Sequence, residues 1–341
     1  MILGVIAATA SSSVLPNDIV IGSETTAPRI TAYPWSDTTG FGTKYANPAS
    51  APSGDLYSVE FNPANNAVAA AGLTSPYVDA WAWSNGFGTK YSNPATLPAG
   101  IGQEVAFSPS GSYLAVSHNN SPYCSVYSWS TGFGAKIADP ATLPTGNSFA
   151  VTFNNASSAI AIASNATPWV SAYPFTTGFG TKYADPATSI GATAQSITYR
   201  ITDNYIGIGR NTSGATHSLP VYNWSSGWGT KVTDPTAVTG PFNGAEFHPS
   251  GTYIAGANSA SPYIDVWAWS SGWGTKASNP ATLPTGNGYE VSWSRNGASI
   301  AVAHTTSPFI TAYPFTTAFG TKFANPATLP ANNAYGVSFS K

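Results

Sequence analysis

The chain has 341 residues, 42% of them hydrophobic, enough for a sizeable core and too many for a disordered polymer. Charged residues make up only 8% and the formal net charge is −2, against roughly a quarter charged in ordinary soluble domains. Such a surface attracts neither nucleic acid nor anionic lipid strongly, and it suits neutral partners: sugars, protein surfaces or neighbours in an assembly.

Residues 1–17 form an apolar, Ser-rich arm in which Ile2, Leu3, Val5 and Ile6 precede Ser11-Ser12-Ser13. No Lys or Arg comes before the apolar stretch, so no secretion signal is inferred, and no apolar run reaches membrane-spanning length, so no membrane insertion is expected. Residues 18–341 repeat. A Phe/Trp-Gly-Thr/Ala-Lys tetrad ends at Lys44, Lys90, Lys136, Lys182, Lys231, Lys276 and Lys322, with intervals of 46, 46, 46, 49, 45 and 46 residues. That period, filled with short strand-like segments between turns, is the size of a four-stranded propeller blade.

The unit at 102–146 shows the pattern. Alternating Gln103 to Phe107 ends at the turn Ser108-Pro109-Ser110-Gly111; a second strand starts at Tyr113; a third, aromatic and β-branched, runs from Tyr123 to Trp129; a fourth follows Ser130-Thr131-Gly132. The seventh copy of the first strand, 335–340, lies at the end of the chain, while its missing partners, 18–23, 29–35 and 41–45, lie near the beginning. The expected fold is therefore all-β: a seven-bladed β-propeller, four antiparallel strands per blade, its ring closed by the C-terminal strand pairing in the N-terminal blade.

Two resemblances follow from these residues. Phe107-Ser108-Pro109-Ser110-Gly111, Leu114-Ala115-Val116 and a third strand ending in Trp129 make the unit similar to a WD40-type blade. The Trp-Asp pair is replaced by Trp83-Ser84 or Phe175-Thr176 and the Gly-His signature is absent, which implies that aromatic packing stands in for that family's buried hydrogen-bond network. The stretch Ile2-Leu3-Gly4-Val5-Ile6-Ala7-Ala8 with Ser11-Ser12-Ser13 resembles the opening of structural proteins of tailed bacteriophages. That resemblance implies a virion component, assembled in the host cytoplasm, with the arm docked to another virion protein. The propeller would then project for host recognition at the tail, or decorate the head.

Repeated columns separate scaffold from candidate site. Tyr33, Trp81, Tyr127 and their equivalents, with Trp35, Trp83, Trp129 and theirs, share one face of the third strand, and core packing outweighs a ring of sugar platforms. The lysine column guards an exposed outer edge. The Asx-Pro column, from Asn47 to Asn325, interchanges amide and carboxylate and reads as turn chemistry. Cys124 replaces Val or Ile of other copies and reads as core. Glu60, Glu104, Glu246 and Glu290 lie on the innermost strand near the channel, in two columns, with no spacing that sets two of them at hydrolase separation. No metal-ligand spacing joins His118, His217, His248 and His304, and no phosphate loop or nucleophile elbow is present. Neither enzyme activity nor a cofactor is expected.

The residue ending the second strand varies while its surroundings repeat. It runs Ser23, Gly72, His118, Ser164, Arg210, Asn258 and His304, expected to ring one exposed rim, with His118, Arg210, Asn258 and His304 meeting a partner or receptor. The blade with the 49-residue interval adds Arg200 and His217. The expected partners are other virion proteins and a host surface glycan or receptor. A free carbohydrate-binding propeller lectin and a WD40-type protein-interaction scaffold are the alternatives.

Overall fold

The second strand of each blade is short and made mostly of Ala, Val, Ile and Gly. Ala67–Gly72, Ala159–Ser164, Tyr205–Arg210 and Ser299–His304 are buried at every position, as strands must be when covered on both faces. In the computed structural model, which describes residues 17–25, 27–211, 219–235, 238 and 240–341, every regular element among the described residues is a strand, and the strands form seven antiparallel sheets. These are the seven blades. The inner strand of each contacts the inner strands of both neighbours, so they surround a central channel.

The first blade takes its inner strand, Ala334–Phe339, from the far end of the chain and pairs it with Asn17–Ser23, in the order Ala334–Phe339, Asn17–Ser23, Ile30–Ser36, Gly40–Phe41. The register sets Ile19 opposite Phe339 and Ile21 opposite Val337. Two further bonds lock the clasp: Asp18 N donates to Ser340 Oγ at 2.9 Å, and Ser340 N donates to the Asp18 carbonyl at 2.9 Å. The expected ring closure is what the fold contains.

The outer strand is not equal in all blades. Four are full, at Phe87–Lys90, Phe133–Lys136, Trp228–Lys231 and Trp273–Lys276. In the other three it shrinks to Gly40–Phe41 or to the single bridges Phe175–Phe179 and Phe315–Phe319. Those three carry Pro34, Pro174 and Pro314 one residue before the end of the third-strand motif, where the full blades carry Ala82, Ser128, Asn223 and Ala268. Proline has no N–H to give the ladder. Only its carbonyl pairs, accepting from Gly42, Gly180 and Gly320 N, each at 2.8 Å.

The core lies between blades. Ala67, Ala69, Val78 and Ala80 of one blade pack on Val105, Phe107, Val116 and Trp129 of the next, and the same arrangement recurs around the ring. Within blades the rings meet edge to face: Phe107 and Trp129 centroids lie 5.1 Å apart, Trp129 and Phe133 5.2 Å, the geometry aromatic quadrupoles favour. Both aromatic columns are buried, Trp81 and Tyr127 completely. In the tyrosine column, Tyr127, Tyr173 and Tyr313 donate to the carbonyls of Thr96, Thr142 and Thr282 at 2.7–2.8 Å, tying these third strands to the connections that precede their blades. Cys124 is fully buried.

Candidate channel-mouth site

Every inner strand carries a register shift between its first and third residues. One residue in each is left out of the pairing with the second strand: Tyr57, Gln103, Phe149, Gln195, Asn243, Tyr289 and Tyr335. A bulge of this kind re-aims a side chain. All seven are half-buried and stand at the mouth of one cavity of about 470 Å³ that runs down the channel to Lys341. Around the ring the order is chain order, so Tyr289, Tyr335 and Tyr57 stand on three consecutive blades. Tyr335 meets Tyr289 at 4.3 Å and Tyr57 at 5.8 Å between centroids, both edge to face. Outside them Glu24 holds Asn333 Nδ2 at 2.8 Å and lies beside the Tyr335 hydroxyl. Sequence reading missed this column. Its signal was available: a position two residues before the repeated Val/Ile column that runs Tyr, Gln, Phe, Gln, Asn, Tyr, Tyr.

Below the mouth lie the four glutamates. Each spends one oxygen on the free edge of the next blade's inner strand. Glu60 accepts from Phe107 N at 2.6 Å, Glu104 from Val151 N at 2.8 Å, Glu246 from Trp293 N at 2.9 Å and Glu290 from Val337 N at 2.8 Å. Ser292 does the same for Phe339 N at 3.2 Å. The carboxylates thus cap strand edges that would otherwise be left unpaired inside the channel. Burial raises their pKa values, Glu104 to about 8 and Glu246 to about 7, with mutual repulsion adding to it; Glu60 and Glu290 move the same way. Lys341 Nζ lies 3.3 Å from Glu60 Oε1 at the far end. Burial alone would lower its pKa, but Glu60, Glu246 and Glu290 outweigh that and raise it. Among the described residues no group of three or more His, Cys, Asp and Glu could hold a metal ion.

The lysine column is an ordered device. Lys90 and Lys276 pair with third-strand Asp79 and Asp265, each at 2.6 Å. Lys136, Lys182 and Lys231 pair instead with Asp139, Asp185 and Asp234 of the Asx-Pro column. Where the third strand supplies the carboxylate, the Asx-Pro residue is Asn93 or Asn279. The interchange read as indifferent turn chemistry is therefore compensation, with one carboxylate per lysine in five blades. Lys44 and Lys322 meet only Asn47 and Asn325 amide oxygens and a carbonyl each, and burial lowers their pKa values.

The expected exposed rim is corrected by burial. His118, Asn258 and His304 have no exposed surface and Arg210 is 9% exposed. Each of the first three bonds the third-strand residue seven positions on: His118 Nε2 to Ser125 Oγ at 3.1 Å, Asn258 Nδ2 to Asp265 Oδ2 at 3.3 Å, and His304 Nε2 to Thr311 Oγ1 at 2.9 Å. Variation at this column is matched by variation across the strand pair, so it reports internal complementarity. Burial lowers the pKa of His118 and His304 to about 4. Arg210 donates to the Ile190 carbonyl. Arg200 lies in the turn that leads into the same second strand, its N–H bonded to the carbonyl of the strand's first residue, Tyr205, about 17 Å of strand from Arg210, and it bonds Gly251 O at 2.8 Å and Thr202 Oγ1 at 2.9 Å; the two arginines do not share a rim. His217 and the arm residues Ile2, Leu3, Val5 and Ile6 lie outside the described residues.

No protein-family model matches the chain, and no curated protein matches it. Solved structures do. A candidate 6-phosphogluconolactonase from Bacteroides uniformis aligns with a TM-score of 0.71 at 15% identity, covering 95% of this chain and 99% of that one. The hydrazine synthase of Kuenenia stuttgartiensis aligns with a TM-score of 0.59 at 11% identity over 76% of each chain. At these identities the likeness is one of fold.

Proposed function

We propose that the chain is a non-enzymatic recognition protein that takes its ligand at the channel mouth. One observation carries this reading: on a frame where core positions repeat, seven bulges aim a varied set of tyrosines, amides and one phenylalanine into a single cavity. A scaffold position must repeat to fit its neighbours, whereas a position facing an asymmetric ligand is free to differ. The name of the Bacteroides uniformis neighbour raises a lactonase acting on a phosphorylated sugar acid as a competing reading. Each of the four carboxyl groups in this channel already spends an oxygen on a strand edge, and Lys341, the cation lining it, is paired with Glu60 and not free for a phosphate. Purified full-length protein is expected to leave 6-phosphogluconolactone hydrolysis at the buffer rate; saturable acceleration lost in Glu104→Gln would replace recognition with catalysis.

The setting we propose is a tailed-bacteriophage particle, assembled in the host cytoplasm, with host attachment or head decoration as the task. The resemblance of Ile2-Leu3-Gly4-Val5-Ile6 to phage structural proteins supports it, as does a ring whose blades are complete from Asn17 onward. Burying four such side chains on a virion partner supplies roughly 6–12 kcal/mol before entropy costs. Deleting residues 1–13 is expected to leave a folded propeller with unchanged melting that no longer enters particles. Incorporation at the full-length level would leave a free lectin or a WD40-type scaffold as the better setting.

A further inference from the structure

We infer that the channel mouth binds a neutral saccharide, one sugar ring lying on the tyrosine arc of Tyr289, Tyr335 and Tyr57, with the amide of Gln103 beside the arc and that of Gln195 across the ring from it. The inference rests on the recognition reading above and names its ligand class.

Gln103 continues the ring on the blade beside Tyr57, and Gln195, two blades further on, stands across the ring from Tyr335. The tyrosines occupy three consecutive blades, line the cavity and meet edge to face, so ring surface is turned to it. Sugar C–H faces pack on aromatic rings, and burial behind Tyr335, against Glu24 and Tyr289, fixes that platform. The side chains of Gln103 and Gln195 line the cavity and make no hydrogen bond with any described residue. Each amide therefore has a carbonyl oxygen and an NH₂ group uncommitted, the donor and acceptor pair that adjacent hydroxyls of one sugar ring require. Asn243 is different: its Nδ2 is already given to the Gly288 carbonyl at 2.8 Å, which leaves its oxygen. The channel, mouth and floor together, encloses about 470 Å³, within the range of small-molecule sites.

Charge narrows the class. The cation lining the cavity, Lys341, is already paired with Glu60, so a phosphorylated, sulfated or carboxylated sugar finds no free counter-charge there. Raised pKa values leave Glu104 and Glu246 partly protonated near neutrality. In that state the floor offers both hydroxyl donors and oxygen acceptors to a neutral ligand, and only weak attraction to a cation. The amides would be wasted on an ammonium group, which has no acceptor for NH₂ to meet.

The experiment uses the full chain on an array of immobilised neutral, amino-bearing and acidic oligosaccharides, followed by titration calorimetry at pH 5.5 and pH 8 and by crystal soaks with the best binder. We expect a neutral oligosaccharide to bind, with affinity changing less than threefold between the two pH values. Gln103→Ala combined with Gln195→Ala should weaken it at least tenfold while melting stays within 2 °C. Tyr289→Ala, which leaves the closing strand intact, should do the same. Binding confined to amino sugars and strengthening tenfold toward pH 8 would put a cation on the carboxylates and overturn the neutral class, leaving the mouth as the site. A saccharide that soaks in elsewhere, or whose affinity survives both sets of substitutions, would remove the mouth and the recognition reading with it. Silence across the whole array would overturn the saccharide alone, and a non-sugar fragment soaking into the mouth would then keep the recognition reading.

Discussion

Glu104 holds its proton over a pH range in which the unfolded chain has released it. Its folded pKa of about 8 stands above the ordinary 4.5, so the native state gains relative to the unfolded state below 4.5 and loses that gain as pH rises toward 8. Glu246 behaves alike up to about 7. His118 and His304 run the other way. Their folded values near 4 lie below 6.5, so their contribution is full above 6.5 and is lost as pH falls toward 4. Between pH 6.5 and 8 only the carboxylates change, and stability is expected to fall across that window. Glu104→Gln keeps an oxygen for Val151 N and removes the charge. It should raise stability at pH 8 by about 1–3 kcal/mol, with little change at pH 5, because the channel is open to water and screens the full burial cost. Equal melting shifts at both pH values would show that the carboxylate is not the group responsible. A second test concerns Lys90. Asp79→Asn should cost about 1–3 kcal/mol, since Asp79 is only 4% exposed. Adding Asn93→Asp, which copies the Lys136–Asp139 arrangement, should return much of that loss in a double-mutant cycle. Strict additivity of the two substitutions would mean that the alternation along the chain is coincidence.

At the scale of the strand, what could be read in the sequence and what could not have different physical origins. Core columns were legible because blade stacking demands the same shape seven times: Val59, Val105 and Val151 recur, as do Phe61, Phe107 and Phe153, and all are buried. The varied column ending the second strand was misplaced because exposure was inferred from variation. His118 and His304 vary from Ser164 yet are as buried, and Ser125 and Thr311 across the strand pair each partner one ring nitrogen, Nε2. The bulge column was overlooked because a bulge is a fault of register, and residue types alone do not declare which member of Leu56-Tyr57-Ser58 drops out of pairing. The Pro34, Pro174 and Pro314 column was visible in the chain, and its consequence is an outer strand cut short. Pro174→Ser, which restores the residue type of Ser128, should extend pairing toward Lys182. Amide hydrogen exchange across residues 179–182 is then expected to slow by tenfold or more relative to wild type. Unchanged exchange there would show that the proline is a passenger and that Phe179-Gly180 geometry limits the strand.

For the whole molecule, the decisive join is the one between sequence ends. Six blades are built from continuous chain, but the first depends on Ala334–Phe339 finding Asn17–Ser23 across more than three hundred residues. That strand also reaches both neighbouring blades: Val337 N and Phe339 N donate to Glu290 and Ser292 on one side, and Ser338 Oγ accepts from Phe61 N at 3.4 Å on the other. Removing residues 334–341 therefore takes away the inner strand of the first blade, the cover of the Glu290 and Ser292 side chains, and Tyr335 from the channel mouth. It leaves Asn17–Ser23 as an open apolar edge of Ile19, Val20 and Ile21, the kind of edge that recruits another chain. The truncated protein should be oligomeric or aggregated, with its cooperative melting lost. A peptide covering residues 334–341 added in trans should restore a monomer in proportion to its concentration, because the same ladder can form without the covalent link. A circular permutant that joins residue 341 to residue 17 and opens the chain in the connection near Pro52 separates strand from link: it keeps every ladder while making the first blade continuous. It should melt at least as high as the parent. If the truncated monomer melts like the parent, or the permutant cannot fold, then closure of the ring is not what the end strand provides.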